Sequence, residues 1–582
     1  MGSPSRRQGR RERARRGPPV PAPDLPATHP AALLVTLVAA ACVLVSVSYQ
    51  LSDPDAWQNL AFGKAIWTLH AIPHRQVFAW PNFGEPLVNP SWGFTALIWP
   101  IWSAGDVAGL FVWRWATTLV TFALLWLTAR RLGARGFTVW LVIVACALVY
   151  RQRSQVRPET LASVWLALTI WILETRRQGG PDRSAWLVPI ACAWANSHLS
   201  YYLGFLVLGI HAVGAVLSGR SPGAGGARRL AWIGLAMAAA VFVNPYGWHA
   251  VARPFQFLLF WRHEPIWTVI SELKPIDWKL NLANGLPVIV AGWPLLVLWR
   301  WRRSGIDFVE LMTCVFFTAL GLSSSRFIAS YALAAAPYFG RDLDEFVRTW
   351  RAPGRSLPVW PRAALASLAC VVLGWGEWTR HEGPIGIAFD RRRTADAACE
   401  FMAAHGVRGR GFNHFYVGGT MLWHFWPDRQ RLPFMTGSPE DSPREIRDLY
   451  MRGLSTAEGW RALDDRFRFD YALLSRYYAW SYTLLDLLDA DPAWARVFID
   501  DVAALYVRRA GPLAAVADSF GYRALMGGRT RTTEILRRAA ADSILRAVLA
   551  DELKRQARET SMNFYGRQMM RALGPVAVPG GP

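Results

Sequence analysis

Two acids flanking a proline, Asp53-Pro54-Asp55, stand directly after the first apolar run of the chain, and Arg151, Arg153, Arg157 and Glu159 crowd one short stretch further on. Residues of these types can do a defined chemistry. A carboxylate can take a proton from a hydroxyl or amide, or hold a divalent cation beside a phosphate. Guanidinium groups bind phosphate through paired hydrogen bonds and neutralise charge on a phosphate leaving group. Arg114, Asn196, His198, Asn244, His263-Glu264 and Arg326 are further polar residues that interrupt or border apolar runs. Each has a plainer reading. Asp-Pro-Asp could start a turn and cap a helix, the arginines of 151–157 could meet lipid headgroups, and Arg114 could snorkel to an interface. Histidines without metal-ligand spacing are usually packing residues, and Asn244 reads as a helix terminator. What favours chemistry is where these residues lie, which the surrounding elements decide.

The chain has 582 residues, of which 52% are hydrophobic and 18% charged, against about 25% charged in a soluble domain. That composition excludes a disordered protein and points away from a soluble enzyme. The net charge of +22 does not indicate nucleic acid, because the basic residues alternate with long apolar runs as they do in loops between membrane spans. The 31 Trp and 29 Phe suit membrane interfaces. Of the six cysteines only Cys399 lies outside an apolar run, so neither a disulfide framework nor a zinc cluster is expected.

Residues 1–30 form a tail rich in Arg and Pro, with Arg6, Arg7, Arg10, Arg11, Arg13, Arg15 and Arg16, expected to be disordered and cytoplasmic. Ala31–Tyr49 is uncharged and long enough to cross as an anchor. Further spans are expected at 109–128, 137–150, 159–174, 186–198, 200–217, 230–243, 286–299, 308–322, 327–340 and 362–376. Eleven crossings from an inside tail leave everything beyond about residue 377 outside. Arg130/Arg131/Arg135, Arg176/Arg177/Arg183, Arg220/Arg228/Arg229, Arg300/Arg302/Arg303 and Arg341/Arg348/Arg351/Arg355 then fall inside, whereas the outer segment 50–108 holds only Lys64 and Arg75. That distribution obeys the positive-inside rule. Trp92–Trp102 is too short to cross, so 50–108 is read as one outer loop with two helices along the membrane, about 56–70 and 91–103. Phe62, Ile66 and Leu69 would form the apolar stripe of the first.

Beyond 377 the pattern changes. Gly411–Phe415, Tyr471–Ser475, Arg496–Ile499 and Ala503–Val507 read as strands, with helices near 394–405, 417–426, 443–453 and 478–489. The expected fold is therefore a polytopic α-helical membrane domain (31–376), a small extracytoplasmic α/β domain (377–510) and a helical extension (511–582) ending in a Gly/Pro tail.

In this scheme Asp53, Asp55, Arg114, Arg151, Arg153, Arg157, Glu159, Asn196, His198 and Arg326 all gather at the outer surface. Three arginines in one outer turn run against the charge rule, which favours phosphate binding over headgroup contact. The adjacent bilayer can supply a lipid-linked donor, so the favoured reaction is sugar transfer from a polyprenyl phosphate to an envelope acceptor (glycan, lipid or protein) outside. A transporter or flippase would place polar sites near the midplane, often in repeated halves, and neither feature is visible. A non-catalytic envelope-assembly protein, with 377–510 as a protein-binding module, is the third reading.

The layout resembles the GT-C superfamily of integral-membrane glycosyltransferases, and within it a group of bacterial membrane proteins with an outer loop of the DPDxWxxLxxG type. The matching stretches are Asp53-Pro-Asp-Ala-Trp57-Gln-Asn-Leu60-Ala-Phe-Gly63, Ile72-Pro73, Asn89-Pro-Ser-Trp92, Arg157-Pro158-Glu159, Trp194-Ala-Asn196-Ser-His198, Asn244-Pro-Tyr-Gly-Trp248 and Gly418-Gly419-Thr-Met-Leu-Trp423. The resemblance implies a catalytic acid just after span one, matched by Asp53 and Asp55, with Asp55 the preferred base or metal ligand. It implies a second acid after a proline at the start of span four, matched by Glu159, and an arginine near the top of span two, matched by Arg114. A divalent cation held by Asp53 and Asp55 is the one cofactor it would bring. Gln58-Asn59 departs from the Trp-His common in relatives, and the segment after 511 has no counterpart.

Overall fold

The computed structural model describes residues 26–217, 226–350, 357–381 and 383–574. The arginines of the N-terminal tail, with Arg220, Arg351 and Arg355, lie outside the described residues.

All eleven apolar runs are helical: they are rich in Leu, Ala and Trp and hold no Gly-Pro or turn cluster that would end a helix. They form α1 (Pro30–Ser46), the second half of α3 (Trp92–Arg131), α4 (Thr138–Tyr150), α5 (Glu159–Arg177), α6 (Leu187–Ala195), α7 (Tyr202–Leu217), α8 (Gly226–Ala240), α10 (Leu286–Ser304), α11 (Phe308–Ser323), α12 (Ile328–Trp350) and α13 (Val359–Trp378). Among the described residues three helical segments are long and apolar enough to cross a bilayer: Trp92–Arg131, Leu199–Leu217 and Val359–Trp378. α4 and α12 pack at the centre of one large apolar core, where Val142, Tyr150, Leu333 and Tyr338 are buried.

The segment 50–108 holds α2 (Asp55–Leu69) and the first half of α3, which is broken at Asp106 by φ 50° and ψ −140°. The break separates a helix over 92–105 from the long apolar one. α2 does not bury the anticipated stripe: Phe62 is buried, but Leu69 is 48% exposed. Its inner face is instead Trp57, Leu60, Ala61 and Ala65, turned toward α3 and the later Phe415–Phe425 helix. An amphipathic helix, α9 (Trp248–Leu259), follows α8.

The four strand-like runs become β1 (Gly411–Asn413), β2 (Tyr471–Ser475), β3 (Trp494–Ile499) and β4 (Ala503–Arg508). They form one sheet of order β1-β2-β4-β3, parallel between β1 and β2 and antiparallel elsewhere. Ala472, Leu474, Ala504 and Tyr506 enter one core, while Tyr471, Leu473, Ala503 and Leu505 enter another on the opposite face. Both faces are covered, which is why these strands are largely apolar rather than alternating, with polar residues such as Ser475 and Arg508 at their ends. The helix α15 (Phe415–Phe425) follows β1 and lies against α2; α14 (Asp396–Ala404) precedes β1.

Candidate functional site

The chain leaves α1 extended, and short bridges from Tyr49 to Ile385 and from Leu51 to Phe389 pin it. This delivers Asp53, whose Oδ1 accepts from the Asp55 backbone N–H at 3.0 Å and so starts α2. The turn-forming reading and the chemical one thus coexist, since the same carboxylate also holds an arginine. Arg157 donates from Nε to Asp53 Oδ2, from Nη2 to Asp53 Oδ1 at 2.7 Å, and from Nη1 to Glu272. Its Nη2 stands 3.0 Å from Asp55 Oδ2. Arg153 Nη1 lies 2.8 Å from Glu272 and 3.7 Å from Glu159, and Arg326 Nε is 3.7 Å from the same Glu159 oxygen. Four carboxylates and three guanidiniums therefore form one chain of charges, Asp53/Asp55, Arg157, Glu272, Arg153, Glu159 and Arg326, with one negative charge in excess.

Charge balance sets their proton affinities. Partial loss of hydration (the side chain keeps 36% of its surface in solvent), then the neighbouring acids Asp53, Glu272 and Glu159, outweigh Arg157 and push Asp55 from its ordinary 3.8 up to about 7. Burial also opposes ionisation of Glu272, but Arg157 and Arg153 overcome it and hold that carboxyl well below the usual range. Asp55 is thus the acid poised to exchange a proton near neutrality, and Glu272 a fixed negative charge. The Asp55 side chain is 36% exposed, so it can meet a reactant.

Beside these charges lies a cavity of 780 Å³ lined by Arg153, Glu159, His198, Lys274 and Arg326, and otherwise largely by apolar side chains such as Phe257 and Leu333. Five cationic side chains (with Arg253 and Arg262) face it against two carboxylates, Glu159 and Glu440. Glu159 Oε2 is buried with no hydrogen-bond partner among the described residues. An amphiphile with an anionic head suits such a lining.

The other sequence-predicted residues lie around this group rather than in it. Arg114 is wholly buried; it donates to Ser154 Oγ at 3.1 and 2.8 Å and to the Tyr49 carbonyl at 2.8 Å, its guanidinium over the Tyr49 ring. Arg151 donates to the Ser46 and Gly383 carbonyls and pairs with Glu377 at 3.2 Å. Both arginines grip the segments that deliver Asp53 and Arg157, and neither lines the cavity. Asn196 accepts from Trp92 Nε1 at 2.7 Å and donates to the Val243 carbonyl at 2.8 Å, tying the start of α3 to the ends of α6 and α8. His198 bonds Ser200 through Nδ1 at 2.6 Å while lining the cavity. Glu264 forms a buried bidentate pair with Arg447. Gln58, the departure from the Trp-His of relatives, accepts from the Gly437 N–H at 2.6 Å and donates to Ser438 Oγ at 2.7 Å.

Glu272 and Lys274 are absent from the sequence reading. Their turn is fixed by Ser324 and Ser325, whose hydroxyls donate to the Glu272 carbonyl at 2.8 and 2.9 Å. Glu272 stands 115 positions from Arg157. An acid in the long stretch between two apolar runs, 243–286, is the signal in the sequence that marks it.

The residues do not suit a divalent cation. Asp53 commits both oxygens to Arg157, whose guanidinium fills the space between the acids, and no group of three His, Cys, Asp or Glu placed to hold a metal occurs among the described residues.

The chain matches no family model and no curated protein by sequence. Its fold is similar to that of the archaeal oligosaccharyltransferase AglB from Archaeoglobus fulgidus, solved with an inhibitory peptide and a dolichol-phosphate. The TM-score is 0.52 at 10% identity, over 76% of this chain and 69% of that one. Structures of ArnT from Cupriavidus metallidurans, apo and bound to undecaprenyl phosphate, give TM-scores of 0.46 and 0.44 at 14% identity, over 82% of this chain and 98% and 99% of theirs. The likeness to AglB agrees with the GT-C resemblance at the level of the fold.

Proposed function

We propose that this chain is a GT-C-type membrane glycosyltransferase that moves a sugar from a polyprenyl-phosphate donor to an envelope acceptor on the extracytoplasmic side. The observation that carries the reading is the continuous chain of charges that runs from Asp55, poised near neutrality, through Arg157 and Glu272 to Arg153 at the wall of a cation-lined, largely apolar cavity. Eleven crossings, an inside N-terminus and an outside C-terminus fit the arginine distribution and put the charge cluster at the outer leaflet.

In this reading the polyprenyl chain lies along the apolar lining and its phosphate faces Arg153, Arg326 and Lys274. The acceptor hydroxyl attacks the sugar C1 as Asp55 takes its proton. The new O–C1 bond forms while the C1–O bond to phosphate breaks, and the departing phosphate keeps the electron pair beside the guanidiniums. Asp53 and Glu272 hold Arg157, and through it the orientation of Asp55. Solvent then removes the proton from Asp55.

The test is release of polyprenyl phosphate from a polyprenyl-phosphate hexose by the full chain in lipid nanodiscs. Asp55→Asn should lower the rate by about 10² to 10⁴-fold with thermal unfolding unchanged. A variant with wild-type turnover would remove Asp55 from the chemistry.

A further inference from the structure

Of the two carboxylate oxygens of Asp55, one is committed and one is open. Oδ2 faces Arg157 Nη2 at 3.0 Å. Oδ1 accepts no hydrogen bond among the described residues and is not sealed from solvent. Beside Oδ1 runs the segment 434–438 of the sheet-bearing part of the chain. A Cβ placed on Gly437 would stand 3.0 Å from Asp55 Oδ1 and 2.9 Å from Gln58 Oε1. Non-bonded carbons settle at about 3.5–4.0 Å, so the backbone at 437 comes this close only because no side chain intervenes. The φ of Gly437 is not positive, and its backbone would suit any residue. Space is what selects glycine here.

The segment is held in place from three sides. Asn413, wholly buried at the end of β1, accepts from the Phe434 N–H at 2.7 Å and donates to the Met435 carbonyl at 2.8 Å. Asn82 donates to the Asp441 carbonyl at 2.8 Å just downstream. Gln58, one turn into α2, bonds both the Gly437 N–H and the Ser438 hydroxyl. The Asp53-Pro54-Asp55 turn is itself locked against α15, where a Cβ on Gly419 would come within 2.8 Å of the Pro54 carbonyl. With turn and segment both pinned, the opening over Oδ1 has one geometry, and bulk added at 437 has nowhere to go but into it.

Resting on the reading of Asp55 as the base, we propose that Oδ1 is the oxygen that takes the acceptor's proton and that Gly437 keeps the approach to it open. Gly437 then determines specificity, because it sets how bulky the surroundings of an acceptor hydroxyl can be when that hydroxyl meets the base. Gln58 and Asn413 are positioning residues that fix this wall. A proton delivered to Oδ2 would first have to displace Arg157.

Carbodiimide coupling of glycine methyl ester to carboxyl groups of the full chain in lipid nanodiscs, read by peptide mass spectrometry, measures access to Asp55 without turnover. Asp551, whose side chain is 85% exposed, is the reference in every sample. Asp55 should couple in the wild type. Relative to Asp551, Gly437→Ala should slow that coupling about threefold and Gly437→Val about tenfold; the alanine, the smallest addition, keeps the test open should the valine disturb folding. Gln58→Met removes the bonds to 437 and 438 without adding bulk beside Oδ1, and should couple no more slowly than the wild type. Gly437→Ala should also lower polyprenyl phosphate release from a polyprenyl-phosphate hexose about tenfold through kcat, with the donor KM within about twofold. An Asp55 that fails to couple in the wild type, that couples equally fast with Gly, Ala or Val at 437, or that is slowed as much by Gln58→Met as by Gly437→Val would overturn the proposal. Slower coupling in Gly437→Val alongside full release by Asp55→Asn would instead overturn Asp55 as the base and leave Gly437 as the residue governing access to it.

Discussion

Glu272→Gln offers the sharpest measurement of how the charge chain governs Asp55. The two carboxylates approach the same guanidinium, Arg157, from different nitrogens, a geometry that puts their charges about 6 Å apart. Asp55 is 36% exposed, so an effective dielectric between the protein and water values, about 40, applies. Coulomb's law then gives about 1.4 kcal/mol, or one pKa unit, of repulsion between them. Removing the Glu272 charge takes that repulsion away and frees Arg157 to favour ionised Asp55 more strongly, and both effects act in the same direction. Asp55 should therefore fall from about 7 to about 6. A base must be ionised to work, so the wild-type rate rises with pH through about 7 and the variant's rate through about 6. Near pH 6, wild-type Asp55 is about one-tenth ionised and the variant's about half, a fivefold gain relative to each protein's own plateau. The assay is the pH profile of polyprenyl phosphate release. The carboxyl band lost in pH-difference infrared spectra of Asp55→Asn reads the same titration without turnover. A midpoint that stays put or moves upward would refute the assignment of Asp55, Arg157 and Glu272 to one electrostatic unit.

Three further outcomes follow from other contacts. Arg326→Ala removes a cation from the cavity lining and should raise the donor KM about ten- to hundredfold, the worth of one charge-assisted hydrogen bond, with a smaller change in kcat. Arg447→Ala strands the buried Glu264 and should cost about 3–5 kcal/mol of stability, whereas replacing both partners by apolar residues should recover most of it; thermal unfolding followed by tryptophan fluorescence reads both. Because Arg157 fills the space between the acids, EDTA should leave polyprenyl phosphate release within about twofold of its untreated rate, and a chelator-sensitive enzyme would contradict the donor set described above.

Much of the fold was legible because a bundle of apolar helices and a two-sided sheet both write themselves as apolar runs. The strands at 471–475 and 503–508 are buried on both faces, so their sequences are apolar up to the closing Ser475 and Arg508. The stripe assigned to 62, 66 and 69 failed because the helix over 55–69 is gripped from two sides, by the helix starting at Trp92 and by α15, so Trp57, Leu60, Ala61 and Ala65 are buried while Leu69 at its end stays 48% exposed. At the site, Asp53, Asp55, Arg153, Arg157 and Glu159 were legible because two short segments carry them. Arginine type alone could not say that Arg114 and Arg151 spend their donors on the carbonyls of Ser46, Gly383 and Tyr49, since backbone acceptors leave no mark in a sequence. Glu272 has no motif and its partner is distant along the chain.

The charge chain also links the two substrates. Arg153 stands between Glu272 and Glu159, and Arg326 contacts Glu159; a donor phosphate would draw these same two guanidiniums to itself. Glu272 then loses one cation and leans harder on its other, Arg157, which loosens the contact of Arg157 with Asp55. The phosphate adds its own negative charge nearby. Each change favours the protonated form of Asp55, so donor binding should raise the affinity of this carboxylate for the acceptor's proton. The pH dependence of kcat/KM reports the free enzyme, and that of kcat the donor complex. The midpoint of kcat should therefore lie above that of kcat/KM by about half a unit to one unit. In Glu272→Gln the relay is cut at its middle, and the two midpoints should converge to the difference left by the phosphate charge alone. Equal midpoints in the wild type, or a separation that survives undiminished in the variant, would show that donor binding and base strength are set independently.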